Sequence, residues 1–165
     1  NYASAVMQAL KSQKSFDNFK RSYSYREILE HVTKEQGRLY LNILESRNDS
    51  ILSLGLKTVL QPDDVGNPIK HRYREYETLL SPTTLRYLKV TSDLQILFGS
   101  SLGRVAEIGC GYGGQALIND QILNIELAED VEEALSKAIG MRPEELFILL
   151  RNNRKVEMKK AYWIL

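Results

Sequence analysis

The stretch Arg104–Gly114, RVAEIGCGYGG, constrains this chain more than any other. Val105, Ala106 and Ile108 form a short apolar run of the kind that makes a buried parallel strand. Gly109, Gly111 and Gly113 follow at alternate positions, and Gln115–Leu123 reads as a helix with Ala116, Leu117 and Leu123 available for packing. A strand, a glycine loop and a helix in that order bring the backbone close to a nucleotide-like ligand. Glycine has no Cβ, so it tolerates positive φ and lets ligand atoms approach the main chain.

The spacing here is E-x-G-x-G-x-G. In the dinucleotide fingerprint the third glycine falls three residues after the second; Gly113 and Gly114 lie two and three after Gly111, so spacing alone does not separate the two patterns. Glu107 does. A carboxylate at the strand end suits a ligand carrying an ammonium group and repels a pyrophosphate. Glu107 through Gly113 resembles motif I of the class I S-adenosylmethionine-dependent methyltransferases. That resemblance implies a loop wrapping the methionine part of S-adenosylmethionine, with Glu107, Gly109, Cys110, Gly111, Tyr112, Gly113 and Gly114 as the cofactor-binding residues. The competing reading is a tight turn between strand and helix that binds nothing. The pattern predicts binding of S-adenosylmethionine or its homocysteine product in preference to NAD. It also predicts that Gly111→Val abolishes binding while leaving far-ultraviolet circular dichroism near wild type.

A chain of 165 residues with 43% hydrophobic content suits one medium domain or two small ones with a real core. Its net charge of +1 argues against a nucleic-acid scaffold. The single cysteine, Cys110, excludes an intramolecular disulfide and fits a reducing, cytoplasmic setting. Within the glycine loop it reads as a small space-filling side chain rather than a nucleophile, since no nucleophile motif surrounds it. No apolar run reaches the roughly 18 residues of a membrane-spanning helix, and the first residues lack the pattern of a signal peptide. Asn1 is not an initiator methionine and the chain stops on the apolar Trp163-Ile164-Leu165; both ends read as those of part of a longer protein.

In chain order, residues 1–22 read as a helix anchored by Phe16 and Phe19. Residues 23–46 read as one helix, with Tyr25, Ile28, Leu29, Val32, Leu39, Tyr40 and Ile43 as its apolar stripe. Asn48-Asp49-Ser50 offers oxygens for a new helix start, and Ile51, Leu52, Leu54, Leu56, Val59 and Leu60 carry a second, more buried helix. Gln61–Ile69 leaves no regular option. Asp63-Asp64 there reads as turn-capping before it reads as a cation site, and no metal is assigned. Residues 70–80 interleave His71, Arg72, Tyr73, Arg74 and Tyr76. That pattern fits either a surface that stacks on a nucleotide or sugar or an extended amphipathic connector. Ser81 and Pro82 open a helix that Leu85, Leu88, Leu94, Ile96, Leu97 and Phe98 bury and that Gly99 ends.

Taken together, Gly66-Asn67-Pro68, SPTTLRYLKVTSDLQILFG (Ser81–Gly99) and EIGCGYGGQ (Glu107–Gln115) resemble a sugar O-methyltransferase family over residues 20–124. The resemblance implies an α/β chain. A mostly helical N-terminal region (1–99) would precede the start of a Rossmann-like methyltransferase domain, a partial βα unit (100–125), and a helical tail (126–165). It further implies methyl transfer to a hydroxyl of a sugar or glycan acceptor. The sulfonium carries its own leaving group, so the protein has mainly to align the acceptor oxygen and remove its proton. His71 is the first candidate for that base and His31 the second, with an Asp or Glu equally able to serve. Glu126, Glu129 and Asp130 stand at the right remove for the acid that holds the ribose hydroxyls.

The tail departs from that family. After Ile125 no further strand–helix units are legible: Ala128–Ile139, Pro143–Leu150 and Lys155–Leu165 read as helices. The expectation is that residues 126–165 do not continue the parallel sheet. They would pack as helices through Leu135, Ile139, Leu146, Leu149 and Trp163, against the N-terminal helices or a second copy of the chain. Either residues are missing from the sequence near Asn124–Glu126, or this is a shortened relative. The rival function is therefore a catalytically inactive binding or assembly module, with a helix-turn-helix-like stretch across residues 134–150 for DNA. A membrane partner is not expected, nucleic acid is disfavoured, and a homo-oligomer is left open.

Overall fold

A computed structural model describes residues 2–47, 50–58, 63–74, 76–105, 107 and 112–127. Helices α1 (Tyr2–Ala9) and α2 (Gln13–Asp17) and a 3-10 turn at Phe19–Arg21 occupy the first stretch, where one helix was expected, and the single turn α3 (Tyr23–Arg26) follows. Local polar groups divide it: the Ser12 hydroxyl accepts from the Ser15 amide at 3.1 Å and starts α2.

The predicted helix over 23–46 is two pieces. Helix α4 runs from Lys34 to Arg47 and begins at a reciprocal cap: the Thr33 Oγ1 accepts from the Gln36 amide at 3.2 Å, and the Gln36 Oε1 accepts from the Thr33 amide at 2.9 Å. That start resets the face turned inward. Gly37, Leu41 and Leu44 are buried, whereas Leu39, assigned to the apolar stripe, is exposed. Helix α5 (Ser50–Thr58) follows, burying Ile51.

Residues 70–80 form a small antiparallel pair, β1 (His71–Arg72) with β2 (Leu79–Leu80), registered His71 to Leu80. Helix α6 (Pro82–Phe98) is the longest element among the described residues and packs against α4, α5 and the later α7. Pro82 stands at its first turn as predicted, but the N-terminal cap is not the Ser81 hydroxyl. Asp63, buried at 2% exposure, reaches across from the irregular segment; its carboxylate accepts from the Ser81 amide at 2.9 Å and from the Thr84 hydroxyl. Gly99 closes the helix at φ 85°. The last turn differs from the sequence reading: Ile96, Leu97 and Phe98 are exposed, and the buried face is Leu85, Tyr87, Leu88, Thr91 and Leu94. The core that results joins Leu41, Leu44, Ile51, Tyr73, Leu80, Leu85, Leu88 and Ile118.

The chain then runs β3 (Ser101–Val105), α7 (Gly114–Ile122) and β4 (Asn124–Leu127). Strand β4 lies parallel to β3, with Gly103 opposite Ile125, Arg104 opposite Glu126 and Val105 opposite Leu127. This corrects the expectation for the tail: the chain does return to the sheet after α7, and Glu126 lies on a strand, not a helix. The connection between the strands is long enough for a parallel crossover, which needs about a dozen residues. Strand β3 runs from Ser101 to Val105 and includes the first residue of the apolar run expected to form a strand; Ala106 and Ile108 lie outside the described residues. The described architecture is mostly helical with two small two-stranded sheets. The remaining expectations for the tail, including the helix-turn-helix-like stretch, Glu129 and Asp130, fall outside the described residues. No helix among the described residues is long and apolar enough to cross a membrane.

Candidate functional site

Glu107 follows β3 and faces the first turn of α7, where its carboxylate accepts from the Ala116 amide. The other oxygen, Oε2, is buried and has no hydrogen-bond partner among the described residues. Burial holds this carboxyl above its usual range, against the lowering effect of the Ala116 hydrogen bond. Gly113 is the N-cap of α7 at φ 85°, a left-handed conformation that glycine adopts without the cost a Cβ would add. Among the described residues nothing lies within 4 Å of where a Cβ on Gly113 would sit, so the main chain is open to a neighbouring group there. Gly109, Cys110 and Gly111 lie outside the described residues.

Tyr112 joins this end of the sheet to the N-terminal region. Its ring meets Phe19 at 6.0 Å between centroids, and the Lys20 ammonium stands 3.8 Å from its centre. Burial pushes the Tyr112 phenol up, and its hydroxyl has no hydrogen-bond partner among the described residues. Lys20 is itself buried at 1% exposure, and that burial lowers its pKa to about 8 despite the opposing pull of Glu30 and Asp63.

Gly66-Asn67-Pro68 holds Phe19–Arg21 in place. The Lys20 amide donates to the Gly66 carbonyl at 3.0 Å, and the Arg21 Nε donates to the Asn67 carbonyl at 3.0 Å. The Asn67 Nδ2 donates to the Asn18 Oδ1 at 2.8 Å. Gly66 at φ 74° and Asn67 at φ 51° make the turn that presents those carbonyls. The three segments that carried the resemblance therefore converge: the glycine-proline turn grips Phe19 and Lys20, these pack on Tyr112, and Gly114 is buried against Tyr87 of α6.

Gln115, the last residue of the third segment, is buried inside. Its Nε2 lies 3.2 Å from the Tyr87 carbonyl, 3.1 Å from the Thr91 Oγ1 and 3.0 Å from the Asn119 Oδ1, and Thr91 donates to Asn119 at 2.7 Å. This satisfied network pins α7 to α6 and fixes where the glycine loop ends. No periodicity in the sequence points to it, because a buried Gln and Asn at i and i+4 read as a solvated face.

His71 is not beside Glu107. It is half-buried on β1 and lines a cleft of about 400 Å³ with His31, Glu30, Lys34, Arg26 and Thr83. The His31 Nδ1 is 3.1 Å from the Ile28 carbonyl, so one of its ring nitrogens is already engaged. Burial raises the Glu30 carboxyl above its ordinary range, while the Thr83 hydroxyl and Lys20 pull it down. Glu30 thus connects the two places: it lines the histidine cleft and interacts electrostatically with Lys20, which lies on Tyr112. Among the described residues no group of three His, Cys, Asp or Glu side chains is positioned to hold a metal ion. Asp63 has its oxygens on Ser81 and Thr84, and Asp64 is exposed 3.7 Å from Lys70.

No family model, no curated protein and no solved structure matches this chain.

Proposed function

We propose that this chain belongs to an S-adenosylmethionine-dependent methyltransferase acting on a sugar hydroxyl, as its motifs resemble. The observation that carries the reading is the buried Oε2 of Glu107, without a hydrogen-bond partner among the described residues, just past a parallel strand and at the first turn of the helix that Gly113 caps. A buried carboxylate oxygen without a partner is costly, and a cationic ligand group is the partner it suits. S-adenosylmethionine supplies a methyl group on a sulfonium together with an amino-acid ammonium that a carboxylate can hold. Glu107 would take that ammonium. The main chain at Gly113 would lie against the ligand without a side chain intervening. Glu126, in register with Arg104 on the neighbouring parallel strand, is the candidate for the ribose hydroxyls.

For the acceptor, His71 is the first candidate base and His31 the second, whose Nδ1 at the Ile28 carbonyl leaves Nε2 to accept a proton. His71 would accept the hydroxyl proton, and the mixed polar lining of its cleft offers partners for further sugar hydroxyls. Calorimetric titration with S-adenosylhomocysteine and with NAD tests the cofactor. Binding of the former in clear preference is expected, and equal or tighter NAD binding would overturn the reading. His71→Ala should lower kcat by about 100-fold or more while S-adenosylhomocysteine affinity stays put; unchanged turnover removes His71 from the chemistry.

A further inference from the structure

We propose that the groove between α4 and the β1 segment binds the phosphate of a phosphorylated sugar, whose saccharide reaches the cleft holding His71. The groove measures about 640 Å³, within the roughly 300–1,000 Å³ of small-ligand sites. Four cationic side chains line it, Lys34 and Arg38 from α4 and Arg72 and Arg74 from the β1 segment, against one carboxylate, Glu35. The chain as a whole carries only +1, so this concentration is local and not the mark of a generally basic protein.

A helix face and a strand running into a turn build it. Lys34 and Arg38 are four apart on one helix and share a face. Arg72 lies on β1 and Arg74 in the turn that the Tyr76 amide closes on the Tyr73 carbonyl at 3.0 Å; both line the other wall, while Tyr73 between them is buried at 1% exposure. The Arg38 guanidinium stands 5.1 Å from the centre of the buried Tyr73 ring. Lys34 adds a second argument. It is the first residue of α4, where the helix end is already positive and a cation is unfavourable. An anion bound there would meet both.

The saccharide half of the proposal rests on the methyltransferase reading; the anion half stands on the groove. The two spaces adjoin, because Lys34 lines both. His71 and Arg72 are neighbours on β1, Arg72 lining the groove and His71 the cleft, and Lys34 is the residue common to both, so the proposed ligand runs past Lys34 from one to the other. A free phosphate group has the charge for these guanidinium forks, which bind phosphate oxygens in pairs.

The test uses the full chain with inorganic pyrophosphate, glucose 1-phosphate and glucose as probes, read by calorimetry at low ionic strength. Pyrophosphate and the sugar phosphate should bind and glucose should not. The double variant Arg72→Gln with Arg74→Gln should weaken both by about tenfold or more. Lys11→Gln with Lys14→Gln, which removes the same charge from exposed positions elsewhere, should leave them unchanged. The difference should shrink in about 1 M salt, where screening acts over roughly 3 Å. Equal weakening in the charge-matched control, no binding of pyrophosphate or the sugar phosphate, or tighter binding of a single-stranded oligonucleotide than of pyrophosphate would each overturn the proposal. S-adenosylhomocysteine is titrated in parallel. Its failure with the groove still binding removes the methyltransferase reading and the saccharide half and leaves the anion site; its success with the groove silent does the reverse.

Discussion

Asp63 and Glu107 each lie against the N-terminal end of a helix, α6 for the first and α7 for the second, and burial raises the carboxyl of both. They differ in what their oxygens do. Both oxygens of Asp63 are engaged, one by the Ser81 amide and the other by the Thr84 hydroxyl, and Lys20 and Lys70 act on it from nearby. Only one side of Glu107 is engaged, by the Ala116 amide, and its Oε2 is buried with no partner among the described residues. The same helix-end chemistry serves anchoring in one place and leaves a vacancy of hydrogen bonding in the other. Asp63 is closed off on both oxygens; under the proposed reading the open oxygen of Glu107 is the one a ligand's ammonium would meet.

Removing the closed member should have the largest effect. Asp63→Ala leaves the Ser81 amide and the Thr84 hydroxyl buried without their acceptor and uncaps the longest helix. A loss of about 3 kcal/mol in urea unfolding is expected. A loss under about 1 kcal/mol would erase the contrast with Glu107.

Lys20 sharpens the comparison through pH. Its folded pKa of about 8 lies below the ordinary 10.5, so between those values the unfolded chain binds more protons than the folded one. Stability attributable to Lys20 should therefore rise with pH across that interval, by on the order of 3 kcal/mol, and Lys20→Met should remove the rise. Because Lys20 pulls the Asp63 and Glu30 carboxyls down, the same variant should shift both further up in carbon NMR titrations. Glu107, whose carboxyl is set by burial and the Ala116 amide, should hold still.

The apo protein should show the opposite slope at Glu107. Its raised pKa means the folded state holds the proton more tightly. That contribution is present at acid pH and is lost as pH climbs from the ordinary carboxylate value through the raised one. Glu107→Gln should flatten that part of the stability profile and change stability at neutral pH little. The smallest effect belongs to Gly113→Ala, where φ 85° imposes a strain of roughly 1 kcal/mol and no described atom is struck. A larger loss in that variant would mean the space beside Gly113 is filled.

The helix Pro82–Phe98 was legible at both ends, since Ser-Pro and Gly act through the chain's own backbone preferences. So was the helix after the glycines, within one residue of Gly114–Ile122. What escaped depends on partners distant in sequence. Ile28, Leu29 and Val32 keep a helical spacing through a region where the Thr33–Gln36 cap starts a new helix, so periodicity ran on past the break. The exposure of Ile96, Leu97 and Phe98 follows from what α6 packs against, not from their character. Strand β4 offers only Ile125 and Leu127 flanking Glu126, too short an alternation to stand out without β3 beside it. Within the candidate site, Glu107 and Gly113 were readable from motif spacing. Lys20 under Tyr112, Asp63 on Ser81 and Gln115 on Thr91 were not, because a buried charge or amide is recognisable only once its partner is in place.

The most direct test of the central claim is the affinity of S-adenosylhomocysteine for wild type and for Glu107→Gln, measured by equilibrium dialysis at neutral pH. Thermal unfolding is followed on the same samples. If Oε2 of Glu107 awaits the ligand's ammonium, the variant should bind about tenfold or more weakly while unfolding at nearly the same temperature. Equal affinity in a variant that folds as wild type does would contradict the account and leave Glu107 as a second helix cap.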